Sequence, residues 1–591
     1  MACDDAPSRP FGGERATGED SGVTLTAAPE TQDLLPAVTS LRDEVGTTSL
    51  PFDLPGVRAA ERGRTELLRQ LDDYILPRLS SLDAPLLAVV GGSTGAGKST
   101  LVNSLVGAVV SAPGVLRPTT RSPVLVHHPD DERWFTPTRI LPDLARATGG
   151  NAVEGQATMQ LVTSSTLPPG LALLDAPDID SVVLGNRELA RQLLGAADLW
   201  LFVTTAARYA DAVPWELLRQ ASERGTSVAV VLNRVPKGSI PVIREHLGSM
   251  LKEQGLGAAP IFTVAESPLE DDGLLPHDEV ARLYSWLSAL AKDARARALV
   301  VRQTLTGALD SLDPRIQSLV DASAAQVSAR KALEKAALTS YASATSGVET
   351  GMSDGSLLRG EVLARWQEFV GTGEFFRQVE TTVSRVRDRI VAGFKGEPVP
   401  SAHLDEALHS GVAELIRAEG QGAATTTSRS WRSLAGGSTL LQAHPDLTRV
   451  SAEFDRTVSS LVHDWQGDVL DLVRSEGKDR RTTAKVTAYG VNAVGTVLML
   501  VTFAYTGGIT GAEVGIAGGT AVLGQKLLEA IFGDQAVRSM ATKAKEALLD
   551  RAEAAFAQER ERFTAVLDQV DLRPDQARTL GAAATAVRAS R

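Results

Sequence analysis

Leu86-Leu-Ala-Val-Val-Gly-Gly92-Ser-Thr-Gly-Ala-Gly-Lys98-Ser-Thr-Leu-Val-Asn-Ser-Leu-Val106 places an apolar run, a glycine-rich turn and an apolar helical stretch in direct succession. The run is short, unbroken by polar residues and closed by glycines, which predicts a parallel strand buried on both faces. The turn fits G-x-x-x-x-G-K-[ST], and the strand before it and helix after it are the context that gives this pattern meaning. Glycines let the backbone curl until its N–H groups and the helix N-terminus converge on phosphate oxygens. The candidate phosphate-binding residues are therefore Gly92, Ser93, Thr94, Gly95, Ala96, Gly97, Lys98, Ser99 and Thr100. In this arrangement Lys98 reaches the β- and γ-phosphates and the Ser99 hydroxyl is a ligand for Mg²⁺.

Outward from this turn, further apolar runs recur at Val124–His127, Leu171–Leu174, Leu199–Thr204, Val228–Leu232 and Ile261–Val264. Helical stretches such as Arg187–Leu194 and Trp215–Ser222 lie between several of them. Strand and helix in alternation predict a mostly parallel, doubly wound α/β domain over residues 56–295. A helical pattern through Leu67, Leu68, Leu71 and Ile75 precedes it, interrupted at Pro77. Asp175 ends one strand, where P-loop proteins place a carboxylate of the Mg²⁺ shell, although a helix cap or Asx-turn is an ordinary use of Asp there. The loop Arg117-Pro-Thr-Thr120-Arg-Ser-Pro123 offers Thr120 as a residue that closes over Mg²⁺; a Pro/Thr surface loop is the plainer reading.

The string 95–107, Gly-Ala-Gly-Lys-Ser-Thr-Leu-Val-Asn-Ser-Leu-Val-Gly, looks like the first motif of translation-factor-class GTPases, and Thr-Arg-Ser-Pro at 120–123 is similar to switch I of dynamins. Strings at 116–121, 173–181 and 208–215 resemble those of bacterial dynamin-like proteins, an actinobacterial group in particular. The resemblance implies a GTPase with Mg²⁺ as cofactor and GTP as substrate, Lys98, Thr120 and Asp175 as catalytic residues, and Ser99, Thr120 and Asp175 around the metal. It also implies a homodimer, or a hetero-oligomer with another dynamin-like chain, and helical tips that touch lipid.

Three departures from the family pattern accompany it. Asp178 stands where switch II has a glycine whose N–H meets the γ-phosphate; a carboxylate there repels phosphate unless it turns away or meets a cation. The guanine-reading motif stands as Asn233-Arg234-Val235-Pro236, so Asn233 and Arg234 are candidate base-site residues while Pro236 cannot accept the guanine protons as aspartate does. Thr94 replaces a glutamine that helps position water in eukaryotic dynamins. Asp180 and Arg208 are possible replacements, with an ordinary surface role as the simpler expectation.

Beyond residue 295 the strands stop. Apolar stripes at three- and four-residue spacing, Val301 to Leu319, Val362 to Val370 and Val379 to Ile390, predict a helical bundle or stalk over 296–485. Residues 486–512 then run for 27 positions without a charge, and Val514–Gln525 follows with spaced glycines. Together they make a hydrophobic, Gly-rich hairpin over 486–532, in which 486–512 is long enough to span a ~30 Å hydrocarbon layer and the second stretch is too short to span by itself. The basic residues Lys478, Arg480, Arg481 and Lys485 before it, and Lys526, Arg538, Lys543 and Lys545 after it, favour a hairpin that dips into or crosses the membrane from the cytoplasmic side and returns. A buried hairpin inside the bundle is the alternative, favoured by Asn492 and the many small residues. An amphipathic helix is expected over 533–572 and a frayed tail over 573–591.

Composition narrows the remaining choices. The 591 residues are 43% apolar and 22% charged, which fits a folded multidomain chain. A net charge of −12 gives no global basic field for nucleic acid. Residues 1–50 carry nine acidic and three basic residues with little to bury, so a disordered acidic tail is expected there. The single cysteine, Cys3, excludes disulfide scaffolds and Cys-based metal clusters. No Ser/His/Asp arrangement and no Leu-Ser-Gly-Gly-Gln transporter signature are found. The expected location is the cytoplasm, at the inner face of the membrane. Two other functions compete: a nucleotide-gated membrane scaffold with little turnover, and a P-loop ATPase.

Overall fold

The computed structural model describes residues 33–111, 122–137, 139–148, 158–181, 184–354, 357, 361–362, 364–365, 401–477, 486, 491–505 and 517–591. Two compact units are present. The first comprises residues up to Thr48, Ala59–Asp321 and Asp575–Arg591, and the second comprises Ser49–Arg58 and Ala322–Pro574.

The first unit is built on one eight-stranded sheet. In chain order its elements are α1 (Leu34–Thr47), α2 (Val57–Gln70), a π-turn at Leu71–Ile75, α3 (Leu76–Ser80), β1 (Leu86–Gly92), α4 (Lys98–Val106), β2 (Val124–His127), α5 (Glu132–Phe135), β3 (Ala145–Thr148), β4 (Thr158–Thr163) and β5 (Leu171–Asp175). There follow α6 (Leu184–Gly195), β6 (Leu199–Thr205), α7 (Ala212–Glu223), β7 (Ser227–Val235), α8 (Ile240–Glu253), β8 (Ile261–Ala265), α9 (His277–Lys292) and α10 (Ala294–Asp310). The strand order is β3-β4-β2-β5-β1-β6-β7-β8. Every pairing is parallel except that of β2 with β5. The α/β P-loop fold expected from the sequence is therefore present.

β1, β5 and β6 are buried along their whole lengths, which is why they read as continuous apolar runs. β3, at the sheet edge, and β4, between β3 and β2, escaped the sequence reading because both mix polar with apolar residues. In β4 the alternation was there to find, with Met159 and Leu161 buried and Gln160 between them only partly so. The strand starts are tied together by the buried Arg78–Asp198 pair. Arg78 Nε donates to Asp198 Oδ1 at 2.9 Å, its other nitrogens reach the Ala84 and Pro85 carbonyls, and Leu87 N–H donates to Asp198 Oδ2 at 2.8 Å. Pro77 does not end the preceding helix as expected. The wider π-turn at Leu71–Ile75 comes first and Pro77 sits in the opening turn of α3, where a missing N–H is harmless.

Expectations for the chain ends and the domain limits are corrected. Residues 34–47 of the expected tail form α1, with Leu34, Val38, Leu41 and Val45 buried on one stripe. That stripe packs on a last helix, labelled α18 below, which the expected frayed tail 573–591 forms over Gln576–Ala589 with Leu580, Ala583, Ala584 and Val587 buried. Few apolar residues are needed at the ends when two short stripes cover each other. The α/β unit also extends past residue 295. Thr304 Oγ1 on α10 donates to the Asp198 carbonyl at 2.9 Å and accepts from Ser227 N–H at 3.1 Å, Val301 packs in the sheet's core, and the stripe Val301–Leu319 lies within the first unit.

The second unit is helical: the remainder of α11 (Leu312–Ser353), then α12 (Ser401–Ser433), α13 (Gly437–Ala443), α14 (Phe454–Glu476), α15 (Val491–Tyr505), α16 (Ala517–Phe532) and α17 (Asp534–Asp568), before α18 (Gln576–Ala589) returns to the first unit. The stripe on α17, from Val537 through Phe556 to Leu567, is buried along its length. Trp465 donates from Nε1 to the Ala544 carbonyl at 2.7 Å, tying α14 to α17, and Trp431 donates likewise to the Leu333 carbonyl at 2.9 Å.

Much of the charge-free segment lies in this core. On α15, Val494, Val497, Leu498, Leu500, Val501 and Phe503 are buried, and the helix packs on α12, α14, α16 and α17. No described helix is long and apolar enough to cross a membrane. The expected membrane dip therefore gives way to the buried-hairpin alternative over 491–505. Residues 366–400, 478–485 and 506–516, with the stripes, basic residues and glycines expected there, lie outside the described residues.

Candidate functional site

The carboxyl ends of β1, β5, β6 and β7 carry the candidate site, as expected of a parallel sheet whose ligands bind at strand ends. Register sets the spacing: Val90 of β1 lies opposite Asp175 of β5, and Gly92 lies opposite Val203 of β6. The turn Gly92–Ser99 wraps from β1 into α4. Gly95 and Gly97 have φ of 75° and 87°, in the left-handed region that side chains rarely adopt. A Cβ on Gly97 would also lie 2.6 Å from Asn233 Nδ2. Both demands explain why glycine stands there.

Lys98 is only 6% exposed. Its Nζ donates to the Gly92 carbonyl at 3.0 Å and the Ser93 carbonyl at 3.1 Å, and pairs with Asp178, whose side chain is 17% exposed. Asp178 thus meets a cation, one of the two conditions under which a carboxylate is tolerated at that position. Asp180 reaches the other side of the turn. Its Oδ1 accepts from Thr94 N–H at 2.6 Å and from Thr94 Oγ1 at 2.7 Å. Arg208 closes the group by donating from Nη1 to the Thr94 carbonyl at 2.9 Å and from Nη2 to Asp180 Oδ2 at 2.7 Å, while its Nε meets Asp211 at 2.8 Å. Burial pushes the Asp180 carboxyl up, but the Thr94 and Arg208 donors outweigh it and hold the group below the usual range.

Asp175 is fully buried. Its Oδ2 accepts from Ser99 Oγ and from Ser111 Oγ, each at 2.6 Å, whereas Oδ1 has no partner among the described residues. Burial raises its pKa against the opposing pull of those hydroxyls and Lys98. A buried carboxylate oxygen without a donor, beside a serine hydroxyl, fits an Mg²⁺ site. Ser111 was missed by the sequence reading. It is presented by Asn103 of α4, which donates to the Ser111 carbonyl at 2.8 Å and accepts the N–H groups of Val110 and Ser111 at 3.0 and 2.9 Å.

Asn233, at the end of β7, donates from Nδ2 to the Ala96 carbonyl at 2.8 Å and accepts from Arg234 N–H at 2.9 Å. Arg234 itself has φ of 52°. The strand end is thereby joined to the glycine-rich turn. Of the sequence-expected site residues, Gly92 to Thr100, Asp175, Asn233 and Arg234 are brought together; Thr120 lies outside the described residues. Asp180 and Arg208, for which a surface role was the simpler expectation, lie against Thr94. Trp200 and Phe135 are buried in the core, and His127 stacks on Phe135 at 5.4 Å between ring centroids.

No family model and no curated protein matches the chain. Among solved structures, an oligomerised bacterial dynamin pair, described as providing a mechanism for long-range sensing and tethering of membranes, is similar in two cases. One has 10% identity over 95% of this chain and 96% of that chain with a TM-score of 0.42. The other has 10% identity over 90% and 95% with a TM-score of 0.41. Two structures of Era are similar over 34% of this chain and 56% of theirs. They are an Aquifex aeolicus variant bound to GDP and AlF4⁻, at 21% identity and a TM-score of 0.23, and a complex with MgGDPNP and 16S ribosomal RNA, at 22% and 0.22.

Proposed function

We propose that the chain is a GTP-binding protein of the dynamin-like kind that hydrolyses GTP with Mg²⁺. The observation that carries this reading is the P-loop at the end of β1, with Lys98 buried at its centre and Ser99 hydrogen-bonded to Asp175. Main-chain N–H groups of Thr94–Ser99 and the start of α4 receive the phosphates, and Lys98 neutralises the β- and γ-oxygens. Ser99 and Asp175 hold Mg²⁺, which when bound supplies Lewis-acid charge neutralisation for phosphoryl transfer. Thr120 is proposed to close over that site. Asn233 fixes the turn and, with Arg234, lines the base side.

Pro236 leaves the guanine N1 and N2 protons without the usual carboxylate, so a P-loop ATPase is the second reading. A nucleotide-gated scaffold with little turnover is the third, supported by the absence of a glutamine at Thr94. Competition between GTP and ATP for binding, followed by phosphate release from wild type and Lys98→Ala, separates all three. GTP preference with Lys98-dependent release supports the first; equal release from the two proteins contradicts it.

Association of the helical unit with the inner face of a membrane, and assembly with itself or another dynamin-like chain, are part of the proposal. Their support is the uncharged run that continues past Tyr505 to residue 512 and the resemblance of the sequence strings. Liposome co-sedimentation and light scattering with and without GTP test them.

A further inference from the structure

Two of the P-loop's phosphate-binding groups already hold anions, and both anions come from one segment of this chain. Asp178 pairs with the Lys98 ammonium, and Asp180 takes the Thr94 N–H and hydroxyl. The residue between them, Ile179, is 3% exposed and directs its N–H to the Gly92 carbonyl at 3.4 Å, so the segment lies along the turn. Arg208 clamps the same arrangement, bridging Asp180 Oδ2 and the Thr94 carbonyl while Asp211 anchors its Nε.

We propose that Asp178 and Asp180 are an internal stand-in for the nucleotide's phosphates, occupying the P-loop in competition with the triphosphate. This rests on the P-loop reading above. A carboxylate and a phosphate oxygen seek the same donors, an ammonium and a main-chain N–H, and the two cannot share them at hydrogen-bond distance without like-charge repulsion. Nucleotide entry is then an exchange: the phosphates take Lys98 and Thr94 N–H, the carboxylates leave, and Arg208 Nη2 is released from Asp180 while Asp211 keeps the guanidinium beside the turn. The bound nucleotide thereby reports itself to the 178–181 segment, which follows directly from the Mg²⁺-binding Asp175. The competition lowers the apparent affinity by the fraction of molecules in which the turn is self-occupied.

The sign of the effect separates this role from a structural one. If the carboxylates only brace the turn, removing one loosens the P-loop and weakens binding; if they compete, removing one strengthens it. The full chain with Asp180→Asn, Asp178→Asn or both is titrated with Mg²⁺ and a fluorescent GTP analogue, and separately with inorganic pyrophosphate, which has no base. Circular dichroism melting confirms that each variant is folded. The expected result is a Kd for both probes lowered at least fivefold by Asp180→Asn and further in the double variant. Unchanged or weaker binding by folded variants, with wild type still binding the GTP analogue, overturns the proposal and leaves the P-loop reading standing. Absence of binding by wild type and every variant overturns both.

Discussion

Asn233 shows how much one side chain settles at this site, because its amide joins β7 to the glycine-rich turn through the Ala96 carbonyl. Asn233→Ala removes that bond and the acceptor for Arg234 N–H, and is expected to weaken nucleotide binding about tenfold, the effect of roughly 1.4 kcal/mol. Equilibrium titration checks it. Lys98 and Ser99 were legible because their motif fixes residue type and spacing along the chain, and Asp175 because it ends an apolar strand. Ser111 was not, since its link to Asp175 spans 64 positions and nothing local marks it. Asp178 was legible only as an anomaly; that it meets Lys98 is a fact of three dimensions. Away from the site, burial pushes the Asp73 carboxyl up to about 6, with Asp143 and Asp72 adding to it and Gln192 and Arg69 opposing. Between pH ~4 and ~6 the folded protein keeps a proton that the unfolded chain has released, so stability falls as pH rises through that window. Asp73→Asn is expected to abolish this slope and to be more stable above pH 6 by up to about 3 kcal/mol, the equivalent of two pKa units. Thermal melts at pH 4.5 and 7.5 measure it.

Among the elements, α15 separates composition from location. Its residues are as apolar as a membrane helix, and hydropathy alone does not distinguish lipid from a bundle interior. What distinguishes them is the set of partners: Phe503 lies 5.8 Å from Trp465 between ring centroids and is buried among helices of its own unit. Phe503→Ala is expected to destabilise the helical unit by about 3–5 kcal/mol in urea unfolding, as large-to-small core changes do. A lipid-facing ring gives almost no change in the absence of lipid. Six of the eight strands were legible for the converse reason, since buried strands cannot hide their apolar continuity. β3 was missed because an edge strand carries polar residues on its open side, and β4, which lies between β3 and β2, because Thr158, Gln160 and Thr163 interrupt its apolar run.

At the scale of the whole molecule, the sequence showed an α/β part and a helical part but misplaced the limit between them and both ends. The stripes on α1 and α18 are too short to announce a fold, and each becomes legible only as the cover of the other. Leu580, fully buried on α18, makes the dependence measurable. Leu580→Ala is expected to destabilise the α/β unit by about 2–5 kcal/mol, read from its thermal unfolding. The central claim is that the turn between β1 and α4 grips a polyphosphate. Isothermal titration of the full chain with GTP and Mg²⁺ tests it most directly. One nucleotide bound per chain, with Lys98→Ala at least about tenfold weaker, is the predicted result; no heat of binding in wild type, or equal affinity in the two proteins, contradicts it.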